Sequence, residues 1–559
     1  MNQILSLGLV FFMSDVCLYC TSQRVIFRSI MKSSKNRSCN LINDFKQWHF
    51  SPSKLLQLPV EENSVNYVRR MIPNVIFSNV KPTPVNSPKL VAYSKDVLTN
   101  ILNLDISVIN DPSFIDFISG NYILNSSTPI AHRYGGYQFG YWAMQLGDGR
   151  AILLGEYKNC ADERWELQLK GSGKTPYSRD GDGRAVLRSS IREFLCSESM
   201  HYLGIPTSRA GVLVVSKDKA IRDPLYNGNI IMENIAVLLR LSPTWFRFGS
   251  FELLSYRKEI DLLKQLIDFV IKEHFPEIDN ESEDKVVEMF SKVSRLTFDL
   301  VLAWQSVGFT HGVLNTDNMN ILGLTIDYGP FGFMEDYDPL YVPNASDTEA
   351  RYCYIEQVRV ITYNLVQLSE ALGPLLSTTQ QSKINEILLS ETKYVKKRHA
   401  EIFSLKLGLT DPNDDLVKLF VTMLEDTKAD FTMSFRELSE VQLENLDKPC
   451  KATNWALSKL ATHKDYANFL KLYRSFLGTL EISDEERRRN MCSLNPRYIL
   501  RNWMAQKAIE SAEKDNFIEV ERLLRVLSKP FEKQEEAEKL GFAGPSPEWA
   551  KKLKLSCSS

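Results

Sequence analysis

The chain has 559 residues, 44% of them hydrophobic and 24% charged, so it is long enough to bury a large core and to form more than one lobe or domain. Basic and acidic residues nearly balance at 67 and 69, which excludes an overall basic field of the kind that attracts nucleic acid. No apolar run reaches the roughly 20 residues of a membrane-spanning helix, so the sequence predicts no membrane span.

Residues 1–43 have the composition of a targeting leader. Asp15 is their only acidic residue, whereas five residues are basic and serine is frequent. The apolar run Ile4–Met13 has no basic segment before it, which is unlike a secretory signal. The leader therefore predicts a mitochondrial location, with an untargeted, disordered N-terminus as the alternative.

A small β-rich lobe is predicted after the leader. Residues 44–126 form an irregular, partly helical extension, whose proline-rich segment 73–90 favours an extended chain that wraps the lobes. Residues 127–245 carry strand-like segments, interrupted by one helix over Ala185–Gly204. The strands are YWAMQL to 146, RAILLGEY from 150, RWELQLK to 170, AGVLVVS from 210 and IIMENIAVLLRL to 241. Between the first two, Gly147-Asp148-Gly149 predicts a tight hairpin.

The rest of the chain is predicted to be mainly helical. Residues 246–530 carry long amphipathic patterns and form a larger lobe, and residues 531–559 form a tail that contains Cys557. A small sheet with one helix, followed by a larger helical part, is the two-lobed plan of the protein-kinase-like fold. The predicted fold class is therefore α+β and protein-kinase-like.

The stretch LKGSGKTPYSRDGDGR, Leu169 to Arg184, resembles a phosphate-binding P-loop but does not fit one. A P-loop needs glycine five residues before its Gly-Lys pair, and that position holds Gln168. Lys170, at the end of a predicted strand, fits better, because a kinase-like small lobe pairs a strand lysine with a glutamate on the next helix. Glu193 lies in that helix, and a surface ion pair is the alternative interpretation.

A second group of candidate residues lies in THGVLNTDNMNILGLTIDYG, from residue 310 to 329. Asn318 and Asp327 offer the oxygen ligands that Mg²⁺ takes in kinase-like sites, and the apolar segment between them predicts a hairpin that brings them together. The base aspartate expected five residues before the metal asparagine is missing, since that position is Val313. Either the domain is a pseudokinase, or Asp317 acts as the base in an altered geometry.

Four long motifs resemble the selenoprotein O (YdiU) family, and the likeness runs from about residue 86 to the end of the chain. The motifs are YGGYQFGYWAMQLGDGRAILLGE, QLKGSGKTPYSRDGDGRAVLRSSIREFLCSE, RLSPTWFRFGSFE and THGVLNTDNMNILGLTIDYGPFGFMEDYDP. The resemblance implies a kinase-like fold that binds ATP in a flipped orientation and transfers AMP to Ser, Thr or Tyr hydroxyls of other proteins. Tyr137 stands where a family histidine is expected. This departure is expected to leave catalysis unaffected, because the motif precedes the phosphate contacts.

The resemblance also implies roles for individual residues. The implied nucleotide contacts are Gly147, Gly149, Arg150, Lys170, Asp182, Gly183, Glu193, Arg240, Arg247 and Asp327. Asp317 matches the base, and Asn318 and Asp327 match the ligands of Mg²⁺, or of Mn²⁺ in its place. For the two arginines, which would clamp the phosphates, surface ion pairs that brace the lobes are the alternative. ATP and client proteins are the implied partners.

Two other functions stay open at this level. One is an ATP-binding pseudokinase that acts as a scaffold, which Val313 favours, and the other is a kinase that transfers the γ-phosphate. Cys557 stands where the family often has selenocysteine, which implies a redox role, and an exposed thiol on a frayed end is the alternative.

Overall fold

The computed structural model describes residues 40–63, 67–449 and 453–556. Within these ranges, most strands lie before residue 243 and most helices after it. The strands are β1 (Val60–Glu61), β2 (Phe77–Asn79), β3 (Lys89–Tyr93), β4 (Ile130–His132), β5 (Tyr137–Gln138), β6 (Tyr141–Trp142), β7 (Ala151–Lys158), β8 (Arg164–Lys170), β9 (Ala185–Val186), β10 (Arg209–Arg222), β11 (Ile231–Ser242), β12 (Phe309–Thr310) and β13 (Gly332–Phe333).

The described ranges also contain α-helices, most of which lie after residue 243. They are α1 (Pro112–Ser119), α2 (Leu187–Tyr202), α3 (Phe248–Tyr256), α4 (Ile260–His274), α5 (Lys285–Ser306), α6 (Gln357–Leu372), α7 (Thr378–Lys406), α8 (Asp414–Thr427), α9 (Phe431–Glu440), α10 (Trp455–Leu460), α11 (Tyr466–Leu477), α12 (Asp484–Leu494), α13 (Asn502–Ala512), α14 (Ile518–Leu527) and α15 (Glu535–Lys539). In the part of the chain that the structure describes, no helix combines the length and the apolarity needed to cross a membrane.

Nine strands of the described residues form one sheet, in the order β1-β2-β4-β7-β8-β11-β10-β3, with β9 paired to β11. Its centre, from β7 to β10, is antiparallel. The N-terminal extension supplies β1 and β2 at one edge of the sheet and β3 at the other. The mixed α+β class is confirmed, with a sheet-rich N-terminal region and a larger helical part.

The central strands are buried on both faces because each face belongs to a different apolar cluster. On one face, Leu167 and Leu169 of β8 share a cluster with Trp48 of the extension. On the other face, α2 contributes Phe194 to the second cluster. Side chains alternate along a strand, so Gln168 and Lys170 lie on the opposite face from the two leucines, toward α2. The strand alternation thereby delivers polar groups to the interior.

One part of the strand prediction is wrong. The segment YWAMQL forms a strand only over β6, which pairs with β5 and not with β7. Leu146 and Asp148 instead donate their backbone N–H groups to the carbonyls of Tyr134 at 2.8 Å and His132 at 2.9 Å. The turn around Asp148 is therefore a connection that runs alongside β4, and not a hairpin between paired strands.

A loop-rich segment between α5 and α6 faces the sheet and carries the second group of candidate residues. The hairpin predicted between Asn318 and Asp327 is confirmed, because Met319 and Thr325 form an antiparallel bridge. The hairpin docks on the start of α3, where Phe248 donates its N–H to the carbonyl of Met319 at 2.9 Å. The tertiary fold thus brings residues 318–327 against the end of β11.

Candidate functional site

Lys170 and Glu193 form the ion pair that the sequence predicts. Nζ of Lys170, at the end of β8, lies 2.6 Å from Oε2 of Glu193, in the middle of α2. Both residues are buried, so the surface ion pair weighed as an alternative is wrong. Burial lowers the pKa of Lys170, and the carboxylates of Glu193 and Asp327 oppose that shift.

Two buried arginines approach Asp327 from different elements. Nη1 of Arg240, on β11, lies 2.6 Å from Oδ1 of Asp327, and Nη1 of Arg247, just before α3, lies 3.0 Å from Oδ2. Arg240 also contacts Oε1 of Glu193 at 2.8 Å. The arginines are only 2% and 1% exposed, which contradicts the alternative of exposed bracing pairs. The sequence-predicted clamp residues therefore meet at one carboxylate.

Asp327 is the centre of this cluster. Lys170 lies 3.2 Å from its Oδ1, in addition to the two arginines. Burial raises the pKa of Asp327, but Arg240, Lys170 and Arg247 outweigh burial and hold that pKa well below its usual value. Its backbone adopts a left-handed conformation, with φ of 57°, which is uncommon for a residue with a side chain and is found mostly at constrained sites.

The cluster carries a surplus of positive charge. The cations Lys170, Arg240 and Arg247 give +3 and the carboxylates Glu193 and Asp327 give −2, which leaves +1. A buried site with this surplus suits a polyanionic ligand, because opposite charges attract more strongly away from water.

Arg150 lies close to the same carboxylates. Burial lowers the pKa of Arg150, and Glu193 and Asp327 oppose that shift. The neighbouring glycines have a packing role: a Cβ on Gly147 would lie 2.6 Å from Cγ of Tyr177, and one on Gly149 would lie 2.6 Å from the carbonyl oxygen of Tyr177. Side chains at both positions would displace the glycine-rich loop, residues 171–184, which contains Tyr177.

Asp317 is buried beside the cluster but has different surroundings. Only 8% of it is exposed, and burial raises the pKa of its carboxyl group to about 6, although Arg247 opposes the shift. Arg247 donates to the backbone carbonyl of Asp317 at 3.0 Å and not to its carboxylate. The carboxylate instead accepts from the amide nitrogen of Gln138, at 3.2 Å and 3.4 Å. A carboxyl group with a pKa near neutrality is suited to exchange a proton.

Asn318 follows Asp317 in a short 3₁₀ turn, Thr316–Asn318. Its Nδ2 donates to the carbonyl of Val313 at 2.8 Å, which leaves its amide oxygen as the atom able to bind a cation. Val313, at the position expected for a kinase base, thus orients Asn318 through its backbone. In the described ranges, no group of three or more His, Cys, Asp or Glu side chains could hold a metal ion. The amide oxygen of Asn318 and the carboxylate of Asp327 are of the chemical kind that Mg²⁺ takes as ligands when phosphates complete its coordination.

Asp182 and Gly183 lie in the glycine-rich loop and do not join the cluster. The carboxylate of Asp182 is exposed and paired with Arg222 of β10 at 2.7 Å. Gly183 is buried, has φ of 74°, and a Cβ there would lie 2.2 Å from the carbonyl carbon of Gly173. These two residues close the loop on itself, whereas Lys170, Arg240 and Arg247 converge on Asp327.

The structure also reveals site residues that sequence reasoning missed. Gln168 accepts a hydrogen bond from Arg240 and donates to Oδ2 of Asp148 at 3.1 Å, so it holds Arg240 in place. Its spacing of two residues from Lys170 on one strand was the available signal. Glu252, on α3, accepts from the hydroxyl of Thr316 at 2.6 Å, and burial raises its pKa to about 8.

The motif YGGYQFG lies against the turn Thr316–Asn318, although it precedes the implied phosphate contacts in the chain. Gln138 contacts Asp317 directly, and Tyr137 donates its backbone N–H to Oγ1 of Thr316 at 2.8 Å. The substitution at position 137 leaves that backbone contact in place. The leader up to residue 39 and Cys557 lie outside the described residues, and the predicted domain boundaries stay predictions.

The geometry defines a class of site: buried cations converge on one carboxylate, and a second carboxylate with a raised pKa lies beside them. Such a site is built to bind phosphate groups and to exchange a proton next to them.

Comparisons with known proteins agree with this class. The family model described as "Protein adenylyltransferase SelO" matches residues 63–528. The chain is 42% identical over 513 residues to "Protein nucleotidyltransferase YdiU" of Azoarcus sp. (strain BH72), covering 90% of this chain and 98% of that protein. Proteins of the same name from Flavobacterium johnsoniae and Rhodopirellula baltica are 41% and 39% identical, covering 90% of this chain and 98% and 97% of theirs. The chain belongs to the SelO family of protein adenylyltransferases, and it is a nucleotidyltransferase.

Proposed function

We propose that the protein transfers AMP from ATP to Ser, Thr or Tyr hydroxyls of client proteins and releases pyrophosphate. The observation that carries this proposal is the arrangement of Lys170, Arg240 and Arg247 around Asp327, with Asp317 directly beside them. Family membership supports the nucleotide as the donor and protein as the acceptor.

The proposed step forms one bond and breaks one bond. The acceptor oxygen attacks the α-phosphorus of ATP, its proton passes to the carboxylate of Asp317, and the bond from the α-phosphorus to the bridging oxygen breaks. Pyrophosphate leaves with that electron pair, and Lys170, Arg240 and Arg247 neutralise the negative charge that develops. Asn318 and Asp327 would hold Mg²⁺, which when bound neutralises phosphate charge as a Lewis acid.

The experiment that tests this proposal compares two labels. With ATP labelled at the α-phosphate, label should enter acceptor protein in step with pyrophosphate release, and each modified protein should gain the mass of one AMP. With ATP labelled at the γ-phosphate, protein should stay unlabelled. Chelation with EDTA should stop transfer, and Mg²⁺ or Mn²⁺ should restore it. Transfer of the γ-label alone would contradict the proposal and identify a kinase.

A pseudokinase scaffold is the second candidate, because Val313 occupies the position of the kinase base and contributes only its backbone carbonyl. This candidate predicts that ATP binds while neither label reaches protein.

We also propose that the protein has the two-lobed architecture of the protein-kinase-like fold. The sheet-rich region before residue 243 and the helical region after it support that architecture.

We also propose that residues 1–43 direct the protein to mitochondria, on the basis of their composition. A fluorescent protein fused behind residues 1–43 should reach mitochondria. A matched fusion with the five basic residues of the leader changed to glutamine should not. A wild-type fusion that stays in the cytosol or enters the secretory route would contradict this location.

A further inference from the structure

The β5–β6 hairpin is fixed against the turn that carries Asp317. Tyr137 donates its backbone N–H to Oγ1 of Thr316 at 2.8 Å, and Phe139 donates its own to Oδ1 of Asn315 at 3.2 Å. Tyr137 and Phe139 flank Gln138 in the chain, and their partners Thr316 and Asn315 directly precede Asp317. Hydrogen bonds therefore hold the backbone on both sides of Gln138, which fixes the position from which its side chain extends.

The side chain of Gln138 contacts the carboxylate of Asp317. Its Nε2 lies 3.2 Å from Oδ2 and 3.4 Å from Oδ1. Among the described residues, Gln138 is the side chain that donates hydrogen bonds to this carboxylate. Gly136 permits the approach, because a Cβ there would lie 3.0 Å from Cβ of Asp317 and its φ is 152°.

A second layer of contacts holds the turn beneath the hairpin. The hydroxyl of Thr316 accepts from Tyr137 and donates to Oε2 of Glu252 at 2.6 Å, so its orientation is determined from both sides. The hydroxyl of Tyr352 accepts from the N–H of Phe139 at 2.9 Å and donates to Oδ1 of Asn315 at 2.7 Å. The hairpin and the turn thus form one hydrogen-bonded unit.

We propose that Gln138 is a positioning residue that orients the carboxylate of Asp317 toward the acceptor hydroxyl. This inference rests on the proposed function of Asp317 as the base. An amide donates hydrogen bonds but does not take up a proton in this pH range, so Gln138 orients the base without replacing it. Each carboxylate oxygen of Asp317 has two lone pairs, so the hydrogen bonds from Nε2 of Gln138 leave lone pairs free to accept the proton of the acceptor hydroxyl.

The test uses variants of the full-length enzyme, with casein as the acceptor protein and α-labelled ATP. Gln138→Ala removes the donor, and kcat should fall about 10- to 100-fold, as expected for losing a hydrogen bond to a charged group. Gln138→Glu keeps the shape but replaces the donor with a carboxylate, and it should lower kcat at least as much. ATP affinity should stay unchanged in both variants, because Gln138 does not contact the cation cluster.

Gln145→Ala is the matched control. Gln145 lies in the same segment. Its Oε1 accepts from the N–H of Ile72 at 3.2 Å, and its Nε2 donates to the carbonyl of Arg70 at 2.9 Å, neither of them in the site. It should leave kcat unchanged. A loss of kcat in Gln145→Ala equal to that in Gln138→Ala would show that the segment acts only through folding, and would overturn the inference.

A double-mutant cycle separates positioning from general stability. In the Asp317→Ala background, Gln138→Ala should cause no further loss of kcat, because the group that it orients is gone. A further loss as large as in the wild-type background would overturn the inference. So would a Gln138→Glu variant that retains wild-type kcat. A wild-type enzyme that transfers no α-label and releases no pyrophosphate would overturn the proposed function and this inference together, whereas normal wild-type transfer with additive losses overturns this inference alone.

Discussion

The two aspartates at the centre of the site lie in opposite electrostatic surroundings. Asp327 contacts three cationic side chains, whereas the carboxylate of Asp317 accepts from the neutral amide of Gln138. Burial acts on both groups, but the cations hold the pKa of Asp327 well below its usual value, while the pKa of Asp317 rises to about 6. One carboxylate is therefore held ionised, and the other is able to exchange a proton.

Arg247 lies between the two halves of the site, which are the proposed phosphate-binding half around Asp327 and the proposed proton-transfer half around Asp317. Its Nη1 donates both to the carboxylate of Asp327 and to the backbone carbonyl of Asp317, at 3.0 Å each. The guanidinium also lies 4.3 Å from the ring of Tyr134, which supports it from a third side. A single arginine thus contacts both the carboxylate of the proposed phosphate site and the backbone of the proposed base, and it leaves the carboxylate of Asp317 unpaired with a cation among the described residues.

Asp327→Asn should disable the proposed phosphate-binding half and cause the largest loss of transfer activity. The variant keeps the shape of the side chain but removes the charge that Lys170, Arg240 and Arg247 surround. Transfer of α-label should fall by at least about 10³-fold, since the Mg²⁺ that Asp327 is proposed to hold would supply several kcal/mol of charge stabilisation. Asp299→Asn, which removes a carboxylate that accepts from Tyr394 in the helical part, should retain activity. Near-normal transfer by Asp327→Asn would contradict the assignment.

Asp317→Ala should remove only the proposed proton transfer and leave nucleotide binding intact. The rate of transfer should fall about 10²- to 10⁴-fold, the usual contribution of a general base. ATP affinity, measured by titration calorimetry, should stay near that of the wild-type enzyme, because the cations gather on Asp327. Equal losses of rate and of ATP affinity would show that the two halves do not act separately.

Glu193→Gln should have an intermediate effect, because Glu193 acts through Lys170 and Arg240. Transfer should fall about 10- to 100-fold as both cations lose a partner. Unfolding in urea should also show a loss of about 3–5 kcal/mol, since buried charges are left uncompensated. Glu198→Gln is the control on the same helix, because buried Glu198 pairs with Arg209 at 2.8 Å, away from the site. It should lose comparable stability yet keep the rate of transfer, and a matching loss of rate would refute the specific role of Glu193.

Asp182→Ala should have the smallest effect on transfer, because Asp182 lies in the exposed part of the loop and not in the buried cluster around Asp327. Its exposed ion pair with Arg222 contributes at most about 1 kcal/mol, so the KM for ATP should rise no more than about fivefold. Steady-state kinetics at varied ATP concentration measure this change. A loss of several orders of magnitude would place Asp182 among the central groups.

Local patterns in the sequence determined much of the scaffold. Alternation and helical spacing predicted β7, β8, β10, β11 and α2, because each element buries its apolar side chains at a period set by its own backbone. The same patterns placed Lys170 at a strand end and Glu193 inside the next helix, and they predicted the hairpin between Asn318 and Asp327. These features depend on residues that are close in the chain.

The contacts between distant segments depend on the packing of the whole fold. Gln138 contacts Asp317 across 179 positions, and Arg240 contacts Asp327 across 87, distances over which spacing carries no information. The misplaced hairpin at Asp148 has the same cause, since its segment donates hydrogen bonds to His132 of β4 and to Tyr134 beyond it, and not to the next strand. Periodicity tells which face of an element is buried, whereas the register of the sheet and the packing of loops decide which polar groups share that buried space.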